Sequence, residues 1–265
     1  MVIVGDNRKD DPQITFRGVD KRYGSSLVLE NIALEAYQGD FVSIIGPSGC
    51  GKSTLLRIAA GLTEASKGSF SYLANRDGNK DIAYVFQDST LLPWLNVAEN
   101  VVLPLRIRGT PKADCLALTE RLLQRVGLGA IGELYPRQLS GGMKMRVSIA
   151  RALSISPNLL LLDEPFGALD EMTRDALNEE LLRLREQRQW TALVVTHSVS
   201  EAVFLSSKIV VLAANPGRIA DVVEVALPYP RTPGTRQMPE FGELVRQTTA
   251  ALHSVQKKET SVAAI

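Results

Sequence analysis

Apolar runs of four or five residues alternate along this chain with stretches whose apolar positions recur at helical spacing. The runs at 41–45, 82–86, 159–162, 193–196 and 209–213 are rich in β-branched residues or leucine. Being apolar on both faces, they predict strands buried within a parallel sheet. The first runs into a glycine-rich loop, after which residues 55–62 take up the spacing of a helix. Residues 13–36 alternate instead, which predicts antiparallel strands beside the main sheet. Between residues 88 and 138 the character changes. Segments 97–106, 113–127 and 131–135 predict helices broken by Pro93, Pro104 and Pro111, and so a helical lobe inserted into an α/β core.

Pro228, Pro230, Pro233 and Gly234 mark the end of that core. Phe241, Leu244, Val245 and Leu252 then recur at near-helical spacing, predicting one amphipathic helix packed on the outside, with fraying over 257–265. The expected division is one domain over residues 12–229, its helical subdomain at about 88–138, and a C-terminal helix and tail over 230–265.

Composition narrows the function more than the fold. Thirty basic against 29 acidic side chains leave a net charge of +1, so no broad basic surface for nucleic acid is expected. Cys50 and Cys115 are too few and too separate for a disulfide framework, which fits a reducing compartment. The first eleven residues reach charge early and have no apolar centre, unlike a signal peptide. No stretch approaches the roughly 20 apolar residues that span a bilayer, so a membrane pore would come from another chain.

Residues 46–54 read Gly-Pro-Ser-Gly-Cys-Gly-Lys-Ser-Thr, between a predicted strand and a predicted helix. Glycines at Gly46, Gly49 and Gly51 let backbone N–H groups, including those of Ser48 and Cys50 after Pro47, approach concentrated phosphate charge unobstructed. The following helix adds the positive end of its dipole. In this pattern Lys52 reaches the β- and γ-phosphates of a nucleotide and Ser53, followed by Thr54, coordinates Mg²⁺. The Cys50 thiol is expected to be incidental, its backbone being what matters. Asp163 and Glu164 end the run Leu-Leu-Leu-Leu, where a parallel sheet presents groups to a ligand. Asp163 is the expected Mg²⁺ partner, and Glu164 the base that polarises an attacking water. Residues 139–146 read Leu-Ser-Gly-Gly-Met-Lys-Met-Arg, in which Ser140 can cap a helix whose start, at Gly141 and Gly142, favours an anion.

With these three segments in this order, the chain resembles the ATPase subunits of ABC transporters over about residues 12–225. The resemblance implies a P-loop NTPase fold of the ABC ATPase type. It also implies two copies facing head to tail with ATP and Mg²⁺ between one copy's Lys52 loop and the other's Ser140 helix. Tyr23 corresponds to the aromatic that stacks on adenine, a plain strand tyrosine being the rival reading. Gln87 would contact Mg²⁺ and the attacking water. Asp170 would lie at the dimer interface beside the other copy's phosphate loop. His197 would hydrogen-bond the γ-phosphate, whereas His253 is expected on the surface of the tail helix. Met143 and Met145 replace the family's commoner glutamines, which puts side-chain contacts there in doubt. Trp94 either fills the core of the helical lobe or anchors a coupling helix of a membrane subunit.

Residues 86–94, 139–146 and 197–219 look most like the branch that imports sulfonates, taurine, nitrate and related small anions. That implies an ATPase at the cytoplasmic face of the inner membrane, working with permease subunits and, indirectly, a periplasmic or lipid-anchored solute-binding protein. Two rivals stand beside it. A DNA-repair, chromosome or translation-linked relative would carry a long coiled coil or a second cassette. A small-molecule kinase would leave residues 139–146 unexplained.

Overall fold

The computed structural model describes residues 11–73, 81–167, 169–188 and 190–262. The first ten residues, which include most of the segment read as unlike a signal peptide, lie outside them. The alternating segment folds as β1 (Ile14–Tyr23) and β2 (Ser26–Ala36), paired antiparallel from Ile14 opposite Ala36 to Tyr23 opposite Ser26. On the other edge of β1 lies β4 (Lys67–Tyr72), completing a three-stranded side sheet.

The main sheet holds six strands. β3 (Phe41–Ile45), β5 (Ile82–Val85), β6 (Leu159–Asp163), β7 (Thr191–Val195) and β8 (Lys208–Ala213) are parallel, and β9 (Arg218–Glu224) closes one edge antiparallel to β8. The order is β5-β6-β7-β3-β8-β9. β3, β6 and β7 are buried at all five positions, as runs apolar on both faces require. Strand alternation divides their side chains between two cores. Leu160, Leu162, Val194 and Phe41 join one, while Leu159, Leu161, Val195 and Ile44 join the other beneath the side sheet.

Helix α1 (Lys52–Ala59) leaves the tip of β3. Between β5 and α4 (Gly141–Ser154) run α2 (Val97–Ile107) and α3 (Lys112–Arg125), both packed on α4. Two expectations for this lobe are corrected. Pro104 lies inside α2 and does not break it, the helix having been started by a capping box between Asn96 and Glu99. Residues 131–135 form a turn, not a helix. Their backbone serves α2 instead: Gly132 and Leu134 carbonyls accept from Ala98 and Val97 N–H groups at 2.9 and 2.8 Å, satisfying the open end of that helix. A short 3₁₀ turn, Pro136–Gln138, then leads to Ser140.

α5 (Glu171–Arg188) follows β6, and α6 (Val199–Leu205) follows β7. The closing helix α7 (Pro239–Val262) packs on α6 and β8, with Phe241 and Val255 buried. Instead of fraying from residue 257, it stays helical to Val262; 263–265 lie outside the described residues. Among the described residues no helix is long and apolar enough to cross a membrane.

Candidate active site

A cleft of about 360 Å³ opens at the carboxyl ends of β3, β5, β6 and β7, lined by Ser48, Gly49, Gly51, Lys52, Ser53 and Thr54 and by Gln87, Glu164 and His197. Parallel strands bring these residues together, because each leaves the sheet at the same edge. Val28 of β2 supplies the remaining wall.

The loop between β3 and α1 is shaped by what it must pass. Gly51 caps α1 with φ of 99°, and a Cβ there would stand 2.6 Å from Leu29 Cδ2. Only glycine meets both demands. Cys50 is fully buried beneath the loop, its side chain packed in the side-sheet core and its N–H bonded to the Pro47 carbonyl at 3.4 Å. Lys52, 5% exposed, donates through its ammonium to the Gly46 and Pro47 carbonyls at 2.9 Å each. A cation is thus held against the loop by the loop itself.

Behind it, Asp163 is buried at the end of β6. Ser53 Oγ donates to Asp163 Oδ1 at 2.9 Å and Tyr84 Oη to Oδ2 at 3.0 Å. Burial, and then the Asp163 charge, push the Tyr84 phenol far up, so it stays a proton donor. Tyr84 escaped the sequence reading. Its partner is 79 residues away, and only the register of β5 on β6, which sets Tyr84 opposite Leu161, brings it there.

Glu164, Gln87 and His197 meet. Gln87 Nε2 donates to Glu164 Oε2 at 3.3 Å, and His197 Nε2 lies 2.6 Å from Glu164 Oε1. Glu164 has φ of 50°, a left-handed conformation that costs a non-glycine residue roughly 1 kcal/mol or more. It is held there by its N–H, which donates to Val195 O at 3.0 Å, and by Gly167, whose N–H returns to Glu164 O at 3.3 Å. The strain turns the carboxyl away from the strand direction and into the cleft.

The remaining predicted residues lie elsewhere. Ser140 caps α4 by accepting from Met143 N at 3.2 Å, and neither it, Gly141, Gly142 nor Asp170 lines the cleft. Gly142 is pressed against Leu169, whose Cδ2 a Cβ would approach to 2.9 Å. Asp170 accepts from Thr173 N–H at 3.0 Å at the start of α5, which holds its carboxyl below the usual range. Arg146 of α4 donates to Thr173 Oγ1 at 3.0 Å, tying the two helix starts together. Met145 is buried and Met143 partly so, both packed into the core. Tyr23 is exposed at the β1–β2 turn, with the Lys21 ammonium 4.8 Å from its ring centroid, and does not line the cleft.

Trp94 is 69% exposed and fills no core. Its loop is nonetheless fixed: buried Asn100 donates to the Leu92, Leu95 and Asn96 carbonyls and accepts from Leu92 N–H, all at 2.9–3.1 Å. An ordered loop displaying an indole is a surface feature, not a packing accident.

Comparison with known proteins agrees with this geometry. A family model described as ABC transporter matches residues 29–167. The chain is 44% identical over 229 residues to an aliphatic sulfonates import ATP-binding protein of Bacillus cereus, covering 86% of this chain and 90% of that one. It is 49% identical over 213 residues to a bicarbonate transport ATP-binding protein of Synechocystis, covering 78% of this chain and 32% of that one. A dimeric ATP-binding cassette solved in a post-hydrolysis state with ADP and Pi aligns with a TM-score of 0.72 at 31% identity, over 81% of this chain and all of the other. With a phosphate-type loop, a buried acid behind it and a strained glutamate facing it on this fold, the chain belongs to the ABC transporter family and is an ATPase of its cassette type.

Proposed function

We propose that this ATPase powers import of a small anion, of the sulfonate, taurine, nitrate or bicarbonate kind, through separate permease subunits. The chain would sit at the cytoplasmic face of the membrane, with a solute-binding protein delivering cargo from outside. Supporting this are the two relatives, an aliphatic sulfonates import ATP-binding protein and a bicarbonate transport ATP-binding protein. The ordered, exposed Trp94 loop is the natural seat for a permease helix.

The observation that carries the mechanism is a separation. Lys52, Glu164 and His197 share one cleft, while the Ser140 helix start and Asp170 face outward elsewhere. A nucleotide in the cleft therefore lacks half its contacts until a second copy brings its Ser140, Gly141 and Gly142. The cassettes to which this fold is similar were solved as dimers.

In that sandwich, Lys52 and the backbone from Gly46 to Thr54 take the β- and γ-phosphates, and Tyr23 stacks on the adenine. Ser53, Asp163 and the Gln87 carbonyl offer only oxygen donors, with Ser53 and Asp163 already 2.9 Å apart, and so fit Mg²⁺. Bound there, Mg²⁺ neutralises phosphate charge. Glu164 accepts the proton of a water whose oxygen bonds the γ-phosphorus as the β–γ bridging P–O bond breaks. His197 donates to the γ-phosphate and, through its contact with Glu164, aligns that base. Asp170 stands beside the partner's phosphate loop. Loss of the bridging phosphate reopens the dimer and moves the permease.

Glu164→Gln is expected to keep ATP affinity, lose turnover and accumulate as a dimer in ATP, read by light scattering. Turnover at the wild-type rate would remove Glu164 as the base, and a strictly monomeric variant saturated with ATP would remove the sandwich.

A further inference from the structure

Gln87 is exposed, and its side-chain bond to Glu164 is long at 3.3 Å. Its place in the cleft is therefore set by the backbone on either side of it. Before it, β5 ends at the buried Val85, and Phe86 packs against Tyr84 with ring centroids 4.3 Å apart. After it, the chain leaves the sheet through Ser89 and Thr90, in neither helix nor strand. Thr90 has φ of 46°, a left-handed conformation that a β-branched residue rarely adopts. Such a conformation persists only where the surroundings enforce it.

What enforces it is one guanidinium that the hydrolysis scheme does not use. Arg151, in the last turn of α4, donates through Nη1 to Thr90 O at 2.9 Å. Through Nη2 it donates to Ser89 O at 3.1 Å and to Thr90 Oγ1 at 2.9 Å. The buried Ser148 Oγ, one turn back along α4, accepts from Nη2 at 3.5 Å and steadies the group from its own helix. These acceptors are neutral oxygens, so the contact is a fork of directed bonds that a planar guanidinium is shaped to make.

We propose that Arg151 is a positioning residue for Gln87: by gripping Ser89 and Thr90 from α4, it fixes the chain leaving β5 so that the Gln87 amide stays beside Glu164. This deepens the proposed function and rests on the role given there to Gln87. Arg151 itself does not line the cleft. Farther along the same loop, Trp94 is held separately, by Asn100 of α2 bonded to the Leu92, Leu95 and Asn96 carbonyls. The loop thus has two anchors, and Trp94 serves as an internal control for the first.

The test uses the full chain and compares Arg151→Met, which keeps the stem and removes the donors, with Thr90→Val, Gln87→Ala and the Arg151→Met/Gln87→Ala pair. Thr90→Val removes only a hydroxyl from an exposed residue, and serves if Arg151→Met fails to fold. Without nucleotide or Mg²⁺, the NMR signal of the Gln87 side-chain amide, assigned by its loss in Gln87→Ala, is expected to move in Arg151→Met and, less far, in Thr90→Val. The chain has only two tryptophans, so Trp190→Phe assigns the Trp94 indole N–H signal, which is expected to stay. With ATP and Mg²⁺, misplacing a reacting group by about 1 Å can cost a hundredfold, so Arg151→Met is expected to lower kcat by about tenfold or more. ATP affinity, measured with a fluorescent ATP analogue, stays within about twofold because the phosphate loop is untouched. Arg151→Met adds no loss on top of Gln87→Ala.

A Gln87 signal that stays put in Arg151→Met, or in Thr90→Val where only that variant folds, overturns the inference whatever happens to turnover. An equal movement of the Trp94 signal overturns it too, since the whole lobe would then have loosened. So does wild-type turnover in Arg151→Met beside a slow Gln87→Ala, or a fall in kcat that adds fully to that of Gln87→Ala. Should Gln87→Ala itself turn over like the wild type while the Gln87 signal moves in the others, positioning stands and the role given to Gln87 in hydrolysis fails.

Discussion

A carboxyl that gives up water for a protein interior binds its proton more tightly, and Glu201 shows the consequence for stability. Its folded value is raised from 4.5 to about 7, with desolvation the leading cause. The sign follows from linkage. An acid with a raised folded value contributes stability that is present below about 4.5 and is lost as pH rises through about 7. Glu201→Gln cannot ionise, so its Tm relative to wild type should climb as pH goes from 4.5 to 7 and level off above. A constant difference across that range, by scanning fluorimetry, would mean the acid is not desolvated in solution. The placement of Lys52, Ser53 and Glu164 at the cleft, with Asp163 behind them, was legible in the sequence because it is local: a loop or a strand end fixes each one. Tyr84 and Asn100 were not, since each matters through a hydrogen bond that only the folded chain creates.

Helix α6 begins just after the turn that carries His197 and is gripped at its other end. Arg231, 4% exposed, donates through Nη1 to the Val203, Phe204 and Ser206 carbonyls at 3.0, 2.9 and 2.9 Å, and through Nη2 to Leu227 O at 3.1 Å. Tyr229 lies between Arg231 and Arg185, each guanidinium 4.1 Å from its ring centroid, and its hydroxyl donates to Leu205 O. A cation at the C-terminal carbonyls of a helix satisfies both the hydrogen bonds and the dipole. Arg231→Ala would leave those carbonyls buried without partners, at about 3 kcal/mol, or a Tm fall of roughly 6–12 °C for a domain of this size. A shift within error would show that the grip contributes little. The buried strands were readable as apolar runs, since a strand covered on both faces admits few polar residues. Residues 131–135 misled because their apolar positions pack against the lobe from a turn, and Pro104 because a helix already capped and packed tolerates it.

Across the whole molecule, the two helix starts proposed to share a nucleotide stand apart within one chain: Lys52 in the cleft, Ser140 at an exposed helix start. Spacing along the sequence hides this, because the two segments differ only in which part of the sheet or lobe they leave. The parallel sheet and the inserted lobe could be anticipated from the run order, but their relative facing is a property of the folded surface. Division of labour between copies has an arithmetic of its own. Let one preparation carry Lys52→Ala and another Ser140→Arg, each inactive alone because both of its compartments are spoiled. When the two are mixed and exchange partners, every mixed pair gathers both lesions into a single compartment and leaves the other intact. Turnover should then reappear on mixing. Two crippled chains would be curing one another, which a protein with its whole site in one copy has no means to do.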